Sequence, residues 1–147
     1  MTKTPDPKSR RGKKAKPKSL GRVLLVEDDA VLAMSLQEAL LDGGATEVIV
    51  CHTMQATMAE LEKDEKLDAL VLDVHLADRD DGWALAELVD MLGPKRPRIA
   101  FSTGSPEDIP PEIAEMGPIF EKPYDPEQLV EVLAGDRKRG LFSRLLG

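Results

Sequence analysis

The sequence predicts an α/β protein with a doubly wound, five-stranded parallel sheet, and two observations support this prediction. From Arg22 onward, short aliphatic runs alternate with stretches in which apolar residues recur every three or four positions, as in βα units. The aliphatic runs are continuous, which is typical of strands covered on both faces. The length of 147 residues fits one such domain with terminal tails.

Five strands are predicted from the aliphatic runs, each too short to be a helix. They are Val23–Val26, Glu47–Cys51, Ala69–Leu72, Arg98–Phe101 and Pro118–Phe120.

Four helices are predicted from leucine, methionine and valine side chains at helical spacing. The side chains are Leu32, Leu36 and Leu40; then Met54, Met58 and Leu61; then Leu85, Leu88, Val89 and Leu92; and finally Leu129, Val132 and Leu133. The pair Gly43-Gly44 ends the first helix. Asp125 and Pro126 begin the last one, as N-cap and first helical residue.

One further helix, the fourth in chain order between the fourth and fifth strands, is predicted to be short or disordered. The segment 105–117 contains Pro106, Pro110 and Pro111. A proline inside a helix costs about 3 kcal/mol because it lacks an N–H and clashes with the preceding turn. At most a short turn can therefore begin at Pro111.

Charge divides the chain into a basic tail and an acidic body. Residues 1–22 hold nine Lys and Arg against Asp6, whereas residues 23–147 hold 11 against 26 Asp and Glu. Residues 1–20 are predicted to be a disordered basic tail, because they cannot bury enough apolar surface to offset chain entropy. This tail is either a solvated segment or a weak, salt-sensitive contact to an acidic partner. Residues 136–147 are predicted to be a short basic amphipathic tail, which leaves 21–135 for the domain.

Several classes of protein are excluded by composition. No apolar run approaches the roughly 20 residues that a membrane span needs. No secretory signal is present, so a cytoplasmic location is expected. The single cysteine, Cys51, excludes an internal disulfide or a thiolate metal cluster. The acidic body argues against specific nucleic-acid binding by the fold itself.

Chemically useful residues follow four of the predicted strands. They are Glu27-Asp28-Asp29, Asp73, Ser102-Thr103-Gly104 and Glu121-Lys122-Pro123. Function in open parallel sheets gathers at the carboxyl ends of the strands. Each residue also has an ordinary interpretation: Asp29 as an N-cap, Asp73 and Thr103 as turn residues, and Lys122 as a solvated charge. The coincidence of all four favours one site, and its converging carboxylates would require a cation such as Mg²⁺.

These motifs make the chain resemble the receiver domains of two-component response regulators, from residue 21 to about 135. The matching motifs are Val-Leu-Leu-Val-Glu-Asp-Asp at 23–29, Leu-Asp at 72–73, Thr103, and Lys122-Pro123. The resemblance implies a flavodoxin-like fold with strand order 2-1-3-4-5. It also implies phosphorylation by a histidine kinase, a histidine phosphotransfer protein or a small phosphodonor.

The resemblance also implies a role for each site residue. Asp73 would be the phospho-acceptor, with Thr103 and Lys122 contacting the phosphoryl group. Mg²⁺ would be held by Asp28 directly, by Glu27 through water, by Asp73 and by the backbone carbonyl of His75. Gly104 would leave space for the phosphoryl group, and the Lys122-Pro123 bond would be cis. Such a protein is not an enzyme beyond its own phosphorylation and dephosphorylation.

Some features depart from the family pattern. Ile119 stands where many receivers carry an aromatic switch residue, and the loop with acids at 78, 80 and 81 is about one residue longer than usual. The ring of His75 either influences hydrolysis or is exposed and uninvolved. Phe101-Ser102-Thr103-Gly104 resembles the Phe-Ala-Thr-Gly signature of the single-domain FATGUY receivers of α-proteobacteria. Ser105 and Pro106 depart from that signature.

The leading functional hypothesis is a single-domain signalling module that binds an unknown downstream protein when phosphorylated. Phosphorylation would order the segment 105–117, and the residues after the last helix are too few for an effector domain. One alternative is a phosphate shuttle or sink without a conformational output. Another is an adaptor that binds nucleic acid or membrane surface through residues 1–22, and a metal-dependent phosphohydrolase is a more remote alternative.

Overall fold

The computed structural model describes residues 20–75, 88, 90–94 and 96–135. The described residues contain a five-stranded parallel sheet with the order β2-β1-β3-β4-β5, which confirms the predicted fold class and strand order. The strands are β1 (Gly21–Val26), β2 (Ala45–Cys51), β3 (Ala69–Asp73), β4 (Arg98–Thr103) and β5 (Ile119–Glu121). The predictions for both tails and for the acids at 78, 80 and 81 lie outside the described residues.

β3 and β4 extend further than their aliphatic runs, because buried polar residues continue the pairing. Asp73 pairs with Ser102 across β3 and β4, and Thr103 pairs with Glu121 across β4 and β5. The fifth strand begins at Ile119, one residue later than predicted. Pro118 has no N–H to donate, although its carbonyl accepts from Phe101 N at 2.8 Å. The register therefore places the polar ends of three strands side by side.

Each helix follows one strand, in the predicted order. They are α1 (Ala30–Asp42), α2 (Met54–Leu61), α3 (described at 88 and 90–92), α4 (Pro111–Ala114) and α5 (126–135). Asp29 caps α1, since its Oδ1 accepts from Val31 N at 2.9 Å and from Leu32 N at 3.1 Å. Asp125 Oδ1 accepts from Glu127 N at 3.0 Å at the start of α5. Both predicted N-caps are confirmed.

The proline-rich segment forms only short helical pieces, as predicted. A 3₁₀ turn covers Pro106–Asp108, and α4 is four residues long. Ile109 and Ile113 are 5% and 7% exposed, so this segment packs against the core although it lacks a long helix.

The core has two layers, one on each face of the sheet. On one face, Leu24, Leu70 and Phe101 pack with residues of α2, α3 and the proline-rich segment. On the other face, Leu25 and Val71 pack with buried residues of α1 and α5. The alternation of side chains along each strand produces this doubly wound arrangement. None of the helices in the described part of the chain is long and apolar enough to span a membrane.

Candidate functional site

Main-chain hydrogen bonds between neighbouring strands hold the candidate site residues side by side at the carboxyl edge of the sheet. Glu27 directly follows β1, and its N–H donates to Cys51 O at 3.0 Å. Asp73 and Thr103 are the last residues of β3 and β4. Lys122 directly follows β5, and its N–H donates to Thr103 O at 2.8 Å. The site therefore depends on the backbone pairing of the sheet as much as on side-chain contacts.

Lys122 joins the two buried carboxylates of the site. Its Nζ donates to Glu27 Oε2 at 3.2 Å and to Asp73 Oδ2 at 3.3 Å. Burial alone would lower the pKa of Lys122, but the charges of Asp73 and Glu27 outweigh it and the pKa is raised. Lys122 is therefore a cation at neutral pH.

Asp73 is held by one donor at each carboxylate oxygen. Oδ1 accepts from the N–H of His75 at 3.1 Å, and Oδ2 accepts from Lys122. The residue is 2% exposed, and burial raises its pKa despite the lowering effect of Lys122. The acid predicted to be the phospho-acceptor is thus oriented by its surroundings.

Glu27 is the most strongly perturbed acid of the site. It is fully buried, and its pKa is raised from 4.5 to about 7, mainly by burial and additionally by Asp73. Oε2 accepts from Asp29 N at 3.0 Å and from Lys122. Oε1 is buried without a donor among the described residues. An ionised Glu27 therefore needs more positive charge than Lys122 alone provides.

The acids of the candidate site provide the oxygen ligands that a divalent cation requires. Glu27, Asp28 and Asp73 each present a carboxylate oxygen, and the three oxygens lie within 4.8 Å of one another. Two of the acids are buried and Asp28 is exposed, so the cluster opens to solvent on one side. An all-oxygen set with solvent access suits Mg²⁺, which usually keeps several waters. The unpartnered Oε1 of Glu27 also fits a nearby cation.

Thr103 and Gly104 lie beside the acids at the end of β4. Thr103 is fully buried, and its Oγ1 accepts from Ser105 N at 2.9 Å. Its hydroxyl proton can therefore still be donated to another group. A side chain at Gly104 would meet no atom within 4 Å, so this edge of the site is open.

The ring of His75 contacts the proline-rich segment. Its Nε2 lies 3.1 Å from Asp108 Oδ2 in the 3₁₀ turn, and the side chain is 33% exposed. The contact is an ion pair when the imidazole is protonated. The ring is therefore partly exposed and in contact with Asp108, and its influence on hydrolysis stays a prediction. Whether the carbonyl of His75 binds a metal stays a prediction.

Two side chains next to the site, Tyr124 and His52, were not predicted from the sequence. The hydroxyl groups of Ser102 and Tyr124 are 2.7 Å apart, and the ring of Tyr124 packs against Phe120 with centroids 5.7 Å apart. Burial raises the pKa of Tyr124. His52, after β2, hydrogen-bonds through Nδ1 to Glu27 O at 2.9 Å. Only their positions next to strand ends could have suggested these contacts.

The structure also shows how Ile119 packs and which isomer the Lys122-Pro123 bond adopts. Ile119 is half-buried and packs against the same core cluster as Ile109 and Ile113. An apolar contact therefore joins β5 to the proline-rich segment where an aromatic side chain was expected in the family. The Lys122-Pro123 peptide bond is cis, as the resemblance implies.

Comparisons with known proteins agree on one family. The family model described as "Response regulator receiver domain" matches residues 23–134. A CheY-like receiver domain protein from Methanospirillum hungatei is 25% identical with a TM-score of 0.65, covering 88% of this chain and all of that one. SdrG from Sphingomonas melonis is 27% identical with a TM-score of 0.58, covering 80% of this chain and 97% of that one. A search of curated proteins finds no match.

Proposed function

Because the chain belongs to the response regulator receiver domain family, we propose that it accepts a phosphoryl group on Asp73 within a two-component phosphorelay. One observation carries the assignment to this residue. Asp73 is buried at a strand end and held at both carboxylate oxygens, by the N–H of His75 and by Lys122. The donor would be a histidine kinase, a histidine phosphotransfer protein or a small phosphodonor.

The transfer step uses an Asp73 oxygen as the nucleophile. This oxygen forms a bond to phosphorus while the P–N bond of the donor's phosphohistidine breaks, and the bonding electron pair leaves with the imidazole nitrogen. Lys122 already contacts Asp73 Oδ2 at 3.3 Å, so its ammonium can remain beside the oxygen as negative charge is added. The Thr103 hydroxyl has a proton to donate to a phosphoryl oxygen. Catalysis is confined to the protein's own phosphorylation and dephosphorylation.

We propose Mg²⁺ as the cofactor, held by Glu27, Asp28, Asp73 and the backbone carbonyl of His75. When bound, it supplies positive charge that neutralises the phosphoryl oxygens. The proximity of three carboxylate oxygens and the unpartnered Oε1 of Glu27 support this assignment.

The proposed output is protein–protein binding through the proline-rich segment. Ser105 N donates to Thr103 Oγ1, so a shift of Thr103 toward a phosphoryl group would move the start of this segment. Asp108 contacts His75, two residues after the phospho-acceptor. These contacts favour a conformational output over a passive phosphate sink, and a downstream protein would read the rearranged segment.

The decisive experiment measures phosphoryl uptake from a small acyl phosphate by intact-protein mass spectrometry. The wild-type chain should gain one phosphoryl group with Mg²⁺ and none with EDTA. Asp73→Asn should gain none under either condition. Asp90→Asn, at an exposed helical position, is the matched control and should behave as wild type. Uptake by Asp73→Asn at the wild-type rate would refute the assignment.

A second experiment separates signalling from a phosphate sink. NMR spectra recorded before and after phosphodonor addition should show shifts at residues 105–117 in the wild type and none in Asp73→Asn. Rapid loss of the phosphoryl group without shifts in this segment would instead favour the sink.

A further inference from the structure

An acidic groove lies between α1 and α5, and none of the candidate site residues lines it. It has a volume of about 390 Å³. The α5 side consists of residues spaced three and four apart, which form one helical stripe. These residues are Glu127, Val130, Glu131 and Ala134, and they face Ala39 and Asp42 at the end of α1.

The groove has an apolar floor and an acidic rim. Val130 is 5% exposed, and Ala39 and Ala134 are half-buried. Asp42, Glu127 and Glu131 are all exposed. In the part of the chain that the structure describes, no cation forms a salt bridge with any of these three acids. The rim therefore presents three carboxylates around an apolar strip, with no cation paired to them among the described residues.

The chain itself has a segment with complementary chemistry next to this groove. Helix α5 is described to residue 135, one position after Ala134 at the end of the groove. The next residues include Arg137-Lys138-Arg139, and Arg144 follows among Leu141, Phe142, Leu145 and Leu146. The three consecutive cations lie within about 10–17 Å of extended chain from Ala134. They can therefore reach Asp42 and Glu131.

The lengths of the segment and the groove also agree. The groove follows α5 from Glu127 to Ala134, a distance of about 10 Å at the helical rise. Residues 141–147 would span about the same distance as a helix. Gly140 separates them from the basic triplet and permits a reversal of the chain.

We propose that residues 137–146 dock into the groove between α1 and α5 of the same molecule. Arg137, Lys138 and Arg139 contact the acidic rim, and the leucine and phenylalanine side chains cover the apolar floor. This docking does not depend on phosphorylation of Asp73. It assigns the C-terminal residues an intramolecular surface on the α1–α5 face.

The basic N-terminal tail is the competing occupant, because it enters β1 near the same end of the groove. Leu20 N donates to Gly44 O at 3.1 Å. However, residues 2–19 contain no large apolar side chain that could cover Val130. Charge alone fits both tails, whereas the apolar floor fits only residues 137–146.

The test uses paramagnetic relaxation in the full chain. A spin label is attached through Ser143→Cys; Cys51 is buried and burial raises its pKa, so it should react slowly, and the wild-type chain serves as the labelling control. The amide signals of Ala39, Gly43, Val130 and Glu131 should broaden, while those of α2 should not. The double variant Glu127→Lys/Glu131→Lys should restore the lost intensities. The matched double variant Glu112→Lys/Glu115→Lys, exposed on the other side of the sheet, should not.

Three outcomes would overturn the proposal. Broadening could be absent, or it could survive the reversal of the two rim charges. It could also appear only when spin-labelled chains without ¹⁵N are mixed with unlabelled ¹⁵N chains, which would make a second copy the occupant. Broadening of the groove signals from a label in residues 1–19 but not from position 143 would assign the groove to the N-terminal tail.

Discussion

The raised pKa of Glu27 predicts that the metal-free protein loses stability as the pH rises from about 4.5 to about 7. Glu27 is fully buried, and its pKa is raised from 4.5 to about 7 by burial and by the neighbouring Asp73. In the unfolded chain this side chain ionises near its ordinary pKa. Between the two values the folded state therefore holds a proton that the unfolded state has released.

The sign and size of the effect follow from proton linkage. Because the folded state binds more protons in this range, each increase in pH favours unfolding. The stabilisation is fully present below pH 4.5 and is lost as the pH passes through 7. The pKa difference of Glu27 corresponds to roughly 3 kcal/mol. The raised pKa of Asp73 acts in the same direction.

Urea unfolding in EDTA, at pH values from 4.5 to 8, measures this loss as the change in unfolding free energy. Glu27→Gln cannot ionise and should remove most of the pH dependence. Glu62→Gln, at an exposed position, is the matched control and should keep it. Adding Mg²⁺ at pH 8 should restore stability to the wild type, because a cation bound only by the folded state stabilises it. A flat wild-type profile, or the same slope in Glu27→Gln, would refute the reasoning.

Four further predictions concern Lys122, two glycines and Tyr124. Lys122→Met leaves the two buried carboxylates without their cation and should lower the unfolding free energy at pH 8 by about 3 kcal/mol, the lower end of the range for a buried ion pair because Lys122 is 27% exposed; an equal loss at pH 4.5 would contradict an electrostatic cause. Gly117→Ala places Cβ against the backbone carbonyl of β4 and should cost about 1–3 kcal/mol in thermal unfolding. Gly104→Ala meets no atom and should change stability by less than about 0.5 kcal/mol. Tyr124 is the one tyrosine, so the phenol absorbance reports it alone, and burial should place its pKa above the usual value. Ser102→Ala should raise that pKa further, and a fall would contradict a hydrogen bond donated by Ser102 to Tyr124.

Local patterns in the sequence were sufficient to predict the elements and their caps. The aliphatic runs indicate strands that are buried on both faces, and the helical spacing of leucines indicates helices with one buried face. Asp29 and Asp125 cap helices because their side chains bond backbone groups only two or three residues away. The prolines limit α4 for an equally local reason, since each proline constrains its own backbone and the preceding turn.

Strand boundaries were predicted less well, because pairing continues through polar residues. Asp73, Ser102 and Thr103 belong to strands although their side chains are not apolar. These residues are buried by the neighbouring strands on both sides. The hydropathy of one segment cannot predict burial of this kind. Pro118 was assigned to β5 from its neighbours, but the strand begins at Ile119.

The sequence by itself determined which kinds of residue stand at the strand ends: acids after β1 and in β3, a hydroxyl in β4 and a lysine after β5. Only the tertiary structure decided that Lys122 and Glu27, 95 positions apart, lie 3.2 Å from each other. It also decided that His75 contacts Asp108 and that Ser102 contacts Tyr124. Local periodicity reports conformation and burial over a few residues. Distances between strand ends depend on strand order and register, which are set by pairing between distant segments.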